Sequence, residues 1–156
     1  MKTEKIHVVV FFLFAVFSVS SIHGRPPLKF KDQKFKILQF TDLHYIDTEE
    51  FQEKNDSTLF LMKTLIKEEK PDLVIMTGDI VVSKPSGKAW KKVVQPMTEL
   101  NVPFAVTFGN HDTETDQTTR EILKNLMQNP LNVTINEDES LSGSGNCSLV
   151  IKSSDN

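Results

Sequence analysis

The chain has 156 residues, a net charge of −3 and a pI near 5.8. That length fits one domain, and an apolar content of 38% arranged in periodic segments supports a core, which excludes global disorder. No basic block follows the N-terminal segment, so nucleic-acid binding has no electrostatic support and is not expected.

At the N-terminus, Lys2 and Lys5 precede a run from Val8 to Val19 that is almost wholly apolar, followed by the small residues Ser20, Ser21 and Gly24. The pattern reads as a secretory signal peptide over residues 1–24, with an uncleaved anchor as the alternative. The run is too short for an ordinary spanning helix, so no stable membrane span is expected. The expected destination is the secretory pathway and beyond it the extracellular space, cell wall or vacuole. In that setting Asn55-Asp56-Ser57, Asn132-Val133-Thr134 and Asn146-Cys147-Ser148 have the form of N-glycosylation acceptors. Cys147 is the only cysteine, so an internal disulfide is excluded.

Arg25-Pro26-Pro27 opens an expected linker over residues 25–34. Phe35 to Phe40 reads as the first strand and runs into Thr41-Asp42-Leu43-His44. If the chain is still extended there, the spacing of two turns Asp42 and His44 to one side, where they can share a cation, and Tyr45 to the other as packing or wall. Ile46 to Lys54 is expected to be a mobile polar loop over the site. A helix capped by Asp56 or Ser57 then continues to about Glu69, with Leu59, Met62, Leu65 and Ile66 on its apolar face and Pro71 as its stop.

Leu73 to Met76 is the second strand, leading to Thr77-Gly78-Asp79, where Gly78 permits close backbone approach. The next helix begins near Ser86, carries Trp90, Val93, Val94, Met97 and Leu100, and is kinked or shortened by Pro96. Trp90 is read as core. Phe104 to Phe108 forms the third strand and delivers Gly109-Asn110-His111-Asp112, after which a helix is expected from Glu114 to Asn129. Leu131 to Ile135 and Cys147 to Lys152 are short strand candidates around an acidic, Gly-Ser-rich loop. This alternation predicts an α/β fold with a mainly parallel sheet and flanking helices, and places the chemistry at the C-terminal ends of the strands.

Taken singly, Asp-Leu-His and Gly-Asp are ordinary turn sequences and Gly-Asn-His-Asp is a polar turn. Turns alone do not explain why three successive strands each end in residues suited to hard or borderline metals. Together these loops resemble the signature of the calcineurin-like metallophosphoesterase superfamily. Phe40 to Tyr45 and Gly143-Ser144-Gly145-Asn146 are most similar to its plant-type, purple-acid-phosphatase-related branch. The resemblance extends from Phe35 to Ile151 and is to the N-terminal part of such a domain, truncated at its C-terminus.

The resemblance implies half of an α-β-β-α sandwich and a hydrolase of phosphate esters that uses two metal ions, iron, zinc or manganese, on a phosphorylated small molecule or other phosphoester. Carried over, Asp42 and His44 bind the first ion, Asp79 bridges both, and Asn110 binds the second. His111 stabilises the transition state or protonates the leaving group, and Asp112 orients His111 or the loop. Val82 stands where the purple enzymes have a ferric-ligating tyrosine, which favours a divalent pair.

The family also supplies three further histidines, whereas the four here are His7, His23, His44 and His111. The second ion is then left with a bridging carboxylate and an amide, and the first sheet with an exposed apolar face. Two readings follow: a phosphoesterase incomplete in this chain, or a catalytically incompetent secreted glycoprotein that retains partial metal binding. A doubly wound nucleotide-binding domain is disfavoured because no Gly-rich phosphate loop follows the first strand.

Overall fold

The computed structural model describes residues 24–154. The expected signal segment up to His23, with His7, lies outside the described residues. Three apolar runs become parallel strands, β2 (Ile37–Phe40), β3 (Leu73–Thr77) and β4 (Phe104–Thr107), in the sheet order β2-β3-β4. A two-residue strand, β1 (Leu28–Lys29), precedes them and pairs in parallel with β5 (Ile151–Lys152). The segment expected to be a linker therefore contributes a strand, and Leu28 is buried. Of the two late strand candidates, Cys147 to Lys152 yields only β5, and Leu131 to Ile135 yields an isolated bridge between Asn132 and Phe104.

The register pairs Phe40 with Met76 and Thr77 with Thr107. All three strands thus finish at one edge, and the loops that follow them meet there. Alternation along the strands sends Leu38, Phe40, Val74, Met76, Phe104 and Val106 to one face. The helices cover that face: α1 (Gln52–Glu69), α2 (Ser86–Val93), α3 (Gln95–Glu99) and α4 (Thr119–Leu126). Trp90 is buried in this core, edge-on to Phe108 at 5.9 Å between centroids. Each large side chain buried there stabilises the fold by about 1.5–3 kcal/mol relative to exposure.

The opposite face is partly covered. Leu73 and Ala105 are buried against Leu28 and Val133, with Phe35, Ile75 and Ile151 alongside, while Ile37 remains 49% exposed. The expected open apolar face is thus reduced to the outer strand, because the two ends of the described chain fold back over it.

Three boundaries differ from expectation for local reasons. The stretch 46–54 is not a free loop: a 3-10 turn at Glu49–Phe51 leads directly into α1. Asp47 is held by Lys88 and Lys92, and buried Asn55 donates to the Ile46 carbonyl, so the polar residues of this stretch tie it down. The helix near Ser86 breaks at Val94 into α2 and α3, and Pro96 falls in the first turn of α3, where its missing N–H costs no helical bond. The last helix starts at Thr119 and not at Glu114. Thr118 and Glu121 form a reciprocal capping box, which fixes the start, and residues His111–Glu114 form a separate 3-10 turn.

Candidate metal centre

The three strand-end loops converge through backbone geometry that few side chains tolerate. Asp42, His44 and Asp79 all adopt positive φ, at 53°, 46° and 52°. The chain is therefore not extended at Asp42 and His44; each residue turns left-handed, and both side chains still reach one point. The backbone of this loop lies along the next, with the Asp42 N–H donating to Gly78 O and the His44 N–H to Asp79 O. Tyr45 continues that pairing and is buried, consistent with a packing role.

Asp42, His44 and Asp79 each offer one ligand atom, all within 4.8 Å of one another. His44 Nε2 lies 3.9 Å from Asp79 Oδ2 and 4.0 Å from Asp42 Oδ1. Two carboxylates and one imidazole at this separation match the donor chemistry of zinc, manganese or iron. Thr41 Oγ1 donates to Asp42 Oδ2, orienting one carboxylate from the neighbouring residue.

The second and third loops are locked together by Asp112, which is fully buried. Its Oδ1 accepts from the N–H groups of Ile80 and Val81, at 3.1 and 3.0 Å, and its Oδ2 accepts from the Gly109 N–H at 2.8 Å. Both Asp112 oxygens are thus committed to backbone donors of the two loops, and holding the loop is one of the two roles expected of this residue. Asp79 makes the reciprocal tie, its Oδ1 accepting from the His111 N–H at 2.9 Å. Gly109 is required for this closeness, since a Cβ there would lie 2.2 Å from Asp79 Oδ1.

His111 stands beside the cluster, its ring centroid 5.3 Å from that of His44. Its Nδ1 lies 2.9 Å from Glu114 Oε2. The hydrogen bond to this carboxylate, more than any other influence, raises the His111 pKa above the ordinary imidazole value. The sequence alone does not single out Glu114, which falls in the expected third helix. Its spacing of three from His111 is the signal that identifies it once the 3-10 turn is recognised.

Asn110 is exposed and opens that 3-10 turn, with its carbonyl accepting from Thr113. It lies on the same loop as His111, whose N–H donates to Asp79 Oδ1. Val82, in the position of the absent tyrosine, continues the backbone pairing by donating to Tyr45 O. Among the described residues His44 and His111 are the only histidines, and no helix is long and apolar enough to cross a membrane.

Residues 35–149 match the calcineurin-like phosphoesterase family. Over 151 residues the chain is 32% identical to the Arabidopsis thaliana protein named "Probable inactive purple acid phosphatase 14", covering 83% of this chain and 37% of that protein. It is 36% identical over 110 residues to an uncharacterized Schizosaccharomyces pombe protein, covering 61% of this chain and 22% of the relative. An uncharacterized metallophosphoesterase of Bacillus subtilis, YkuE, is 38% identical over 80 residues, half of this chain and 26% of its own length. The chain thus spans well under half the length of the curated relatives it matches.

Proposed function

The chain belongs to the calcineurin-like phosphoesterase family, and we propose that it carries the first-ion half of a metal-dependent phosphoester-hydrolysing centre. The observation that supports this most directly is the convergence of Asp42, His44 and Asp79 within 4.8 Å, beside the His111 imidazole. Asp42 and His44 would hold one ion, with Asp79 shared toward a second that Asn110 addresses. Bound metal supplies charge that polarises the phosphoester and lowers the pKa of water.

The remaining work falls to the chain's own groups. Asp79 Oδ1 is fixed by the His111 N–H, so the carboxylate holds one orientation while Oδ2 faces His44. Glu114 engages His111 Nδ1 and favours the imidazolium, which leaves Nε2 as the nitrogen that donates a proton to a leaving-group oxygen. Asp112 maintains the separation of the two loops and therefore the distance between proton donor and metal ligands. The substrate class is a phosphomonoester or similar phosphoester.

Two observations favour a second reading. Asp42, His44 and Asp79 are the only clustered carboxylate and imidazole donors among the described residues, a sparse set for two ions, and several plant relatives carry the word "inactive" in their names. In that reading the chain is a secreted, non-catalytic protein that binds one metal ion. The two separate in one experiment: hydrolysis of an aryl phosphate by the full chain with added manganese, zinc or iron, beside Asp79→Ala and His111→Ala. Metal-dependent turnover abolished by both substitutions supports the enzyme. Stoichiometric metal binding with no turnover supports the non-catalytic protein.

A further inference from the structure

The three N-glycosylation triplets occupy very different places in the fold. Asn55 is 6% exposed within α1, and its Nδ2 donates to the Ile46 carbonyl at 2.6 Å. A sugar on that nitrogen would have to occupy the space between α1 and the segment it anchors. Asn132 is 2% exposed; its Nδ2 donates to Thr134 O and its Oδ1 accepts from the Thr134 N–H. The hydroxyl of Thr134, the third residue of that triplet, is itself buried and accepts from the Val106 N–H at 2.7 Å. This triplet bridges to β4 through Asn132 and Phe104, so a glycan there would separate it from the sheet.

Asn146 differs in each respect. It is half-exposed and follows a turn with positive φ at Gly143 and Gly145, and Ser148 is exposed. Its Nδ2 makes one solvent-facing hydrogen bond, to Ser142 O at 3.1 Å. A glycosylated amide nitrogen keeps one hydrogen, and this bond, being exposed, is the only side-chain bond that modification would put at stake.

We propose that Asn146 is the one N-glycan acceptor that the folded chain accommodates, and that Asn55 and Asn132 are structural asparagines. The co-reactant is an oligosaccharide linked to a lipid pyrophosphate. The Asn146 amide nitrogen bonds to the sugar C1 as the C1–O bond to pyrophosphate breaks, and one amide proton passes to a base of the transferase. Because transfer can precede folding, chains modified at Asn55 or Asn132 would fail to pack and be retained.

The test is site occupancy of the soluble, secreted protein made in a eukaryotic host. The chain is expressed with its own N-terminus and, in parallel, with an established secretion leader in place of residues 1–24, which separates failure of entry from failure of site choice. Glycosidase treatment should give one step in mobility, peptide mapping should place it on Asn146, and Asn146→Gln should abolish it. A second measurement needs no secretion: bacterially produced protein is treated with a soluble N-glycosyltransferase and UDP-glucose, beside the three excised peptides. All three peptides should accept sugar, but only Asn146 of the folded chain. A glycan on Asn55 or Asn132 of soluble folded protein, or a bare Asn146 in both settings, would overturn the proposal.

Discussion

Gly109 and Asp79 are packed so closely that a Cβ on Gly109 would fall 2.2 Å from Asp79 Oδ1 and 2.6 Å from the Asp79 nitrogen. The carboxylate and the backbone that carries it both occupy the place a side chain would take. Gly109→Ala should therefore destabilise the fold by roughly 1–3 kcal/mol, the usual cost of overpacking a tight site. Thermal unfolding checks the stability change. A metal titration of the same variant should show weakened binding, because Asp79 must move.

Asp112 provides a separate test of how the loops are held. In Asp112→Asn an amide group faces backbone donors on Ile80, Val81 and Gly109, and its own N–H₂ cannot accept from any of them. Leaving a buried donor unpaired costs about 1–3 kcal/mol, so the denaturant midpoint should fall accordingly. The His111 titration, followed by NMR in metal-free protein, should shift little, since Asp112 acts on the loop and Glu114 on the ring. A large shift would restore Asp112 as an orienter of His111.

These two residues mark what the sequence conveys and what it does not. The three strands and the clustering of Asp42, His44 and Asp79 at their ends are legible because apolar runs and parallel topology dictate them. The left-handed backbone at Asp42 and His44 is not, because non-glycine residues rarely adopt it unless surrounding structure enforces it. The role of Asp112 depends on three backbone N–H groups from two loops, a tertiary fact that its position next to His111 conceals. A helix start expected at Glu114 conceals its pairing with His111, and the Thr118 and Glu121 capping box places that start at Thr119 instead. The polarity of residues 46–54 suggested mobility, whereas Asp47 and Asn55 use that polarity to anchor the segment.

The Glu114 carboxylate is the largest cause of the raised His111 pKa. A raised value means that the imidazolium persists to higher pH than in a free histidine. Glu114→Gln removes the charge while keeping the length, so the His111 midpoint should fall toward the ordinary value. NMR titration of the imidazole in metal-free protein measures it directly. If the chain turns over substrate, the alkaline limb of its pH profile should move down in parallel.

Asp47 lies largely buried between Lys88 and Lys92, and the hydrogen bond from Lys92 leads the causes that depress its pKa. A depressed carboxyl contributes stability that is present above the unfolded value, about 3.9, and is lost as pH falls through the lower folded value. Asp47→Asn should cost roughly 1–3 kcal/mol near neutrality, between the limits for exposed and buried pairs. That difference from wild type should shrink as the pH is lowered below the unfolded carboxyl value. Urea unfolding across a pH series checks both the sign and the window.

The central claim is that Asp42, His44 and Asp79 form one metal site, and calorimetric titration of the full chain with manganese or zinc tests it most directly. Binding of at least one ion per chain is expected, lost in Asp79→Ala and weakened at least tenfold in Asp42→Asn, on the scale by which even supporting residues change metal affinity. Absence of binding by the folded chain, or binding that Asp79→Ala leaves unchanged, would contradict it.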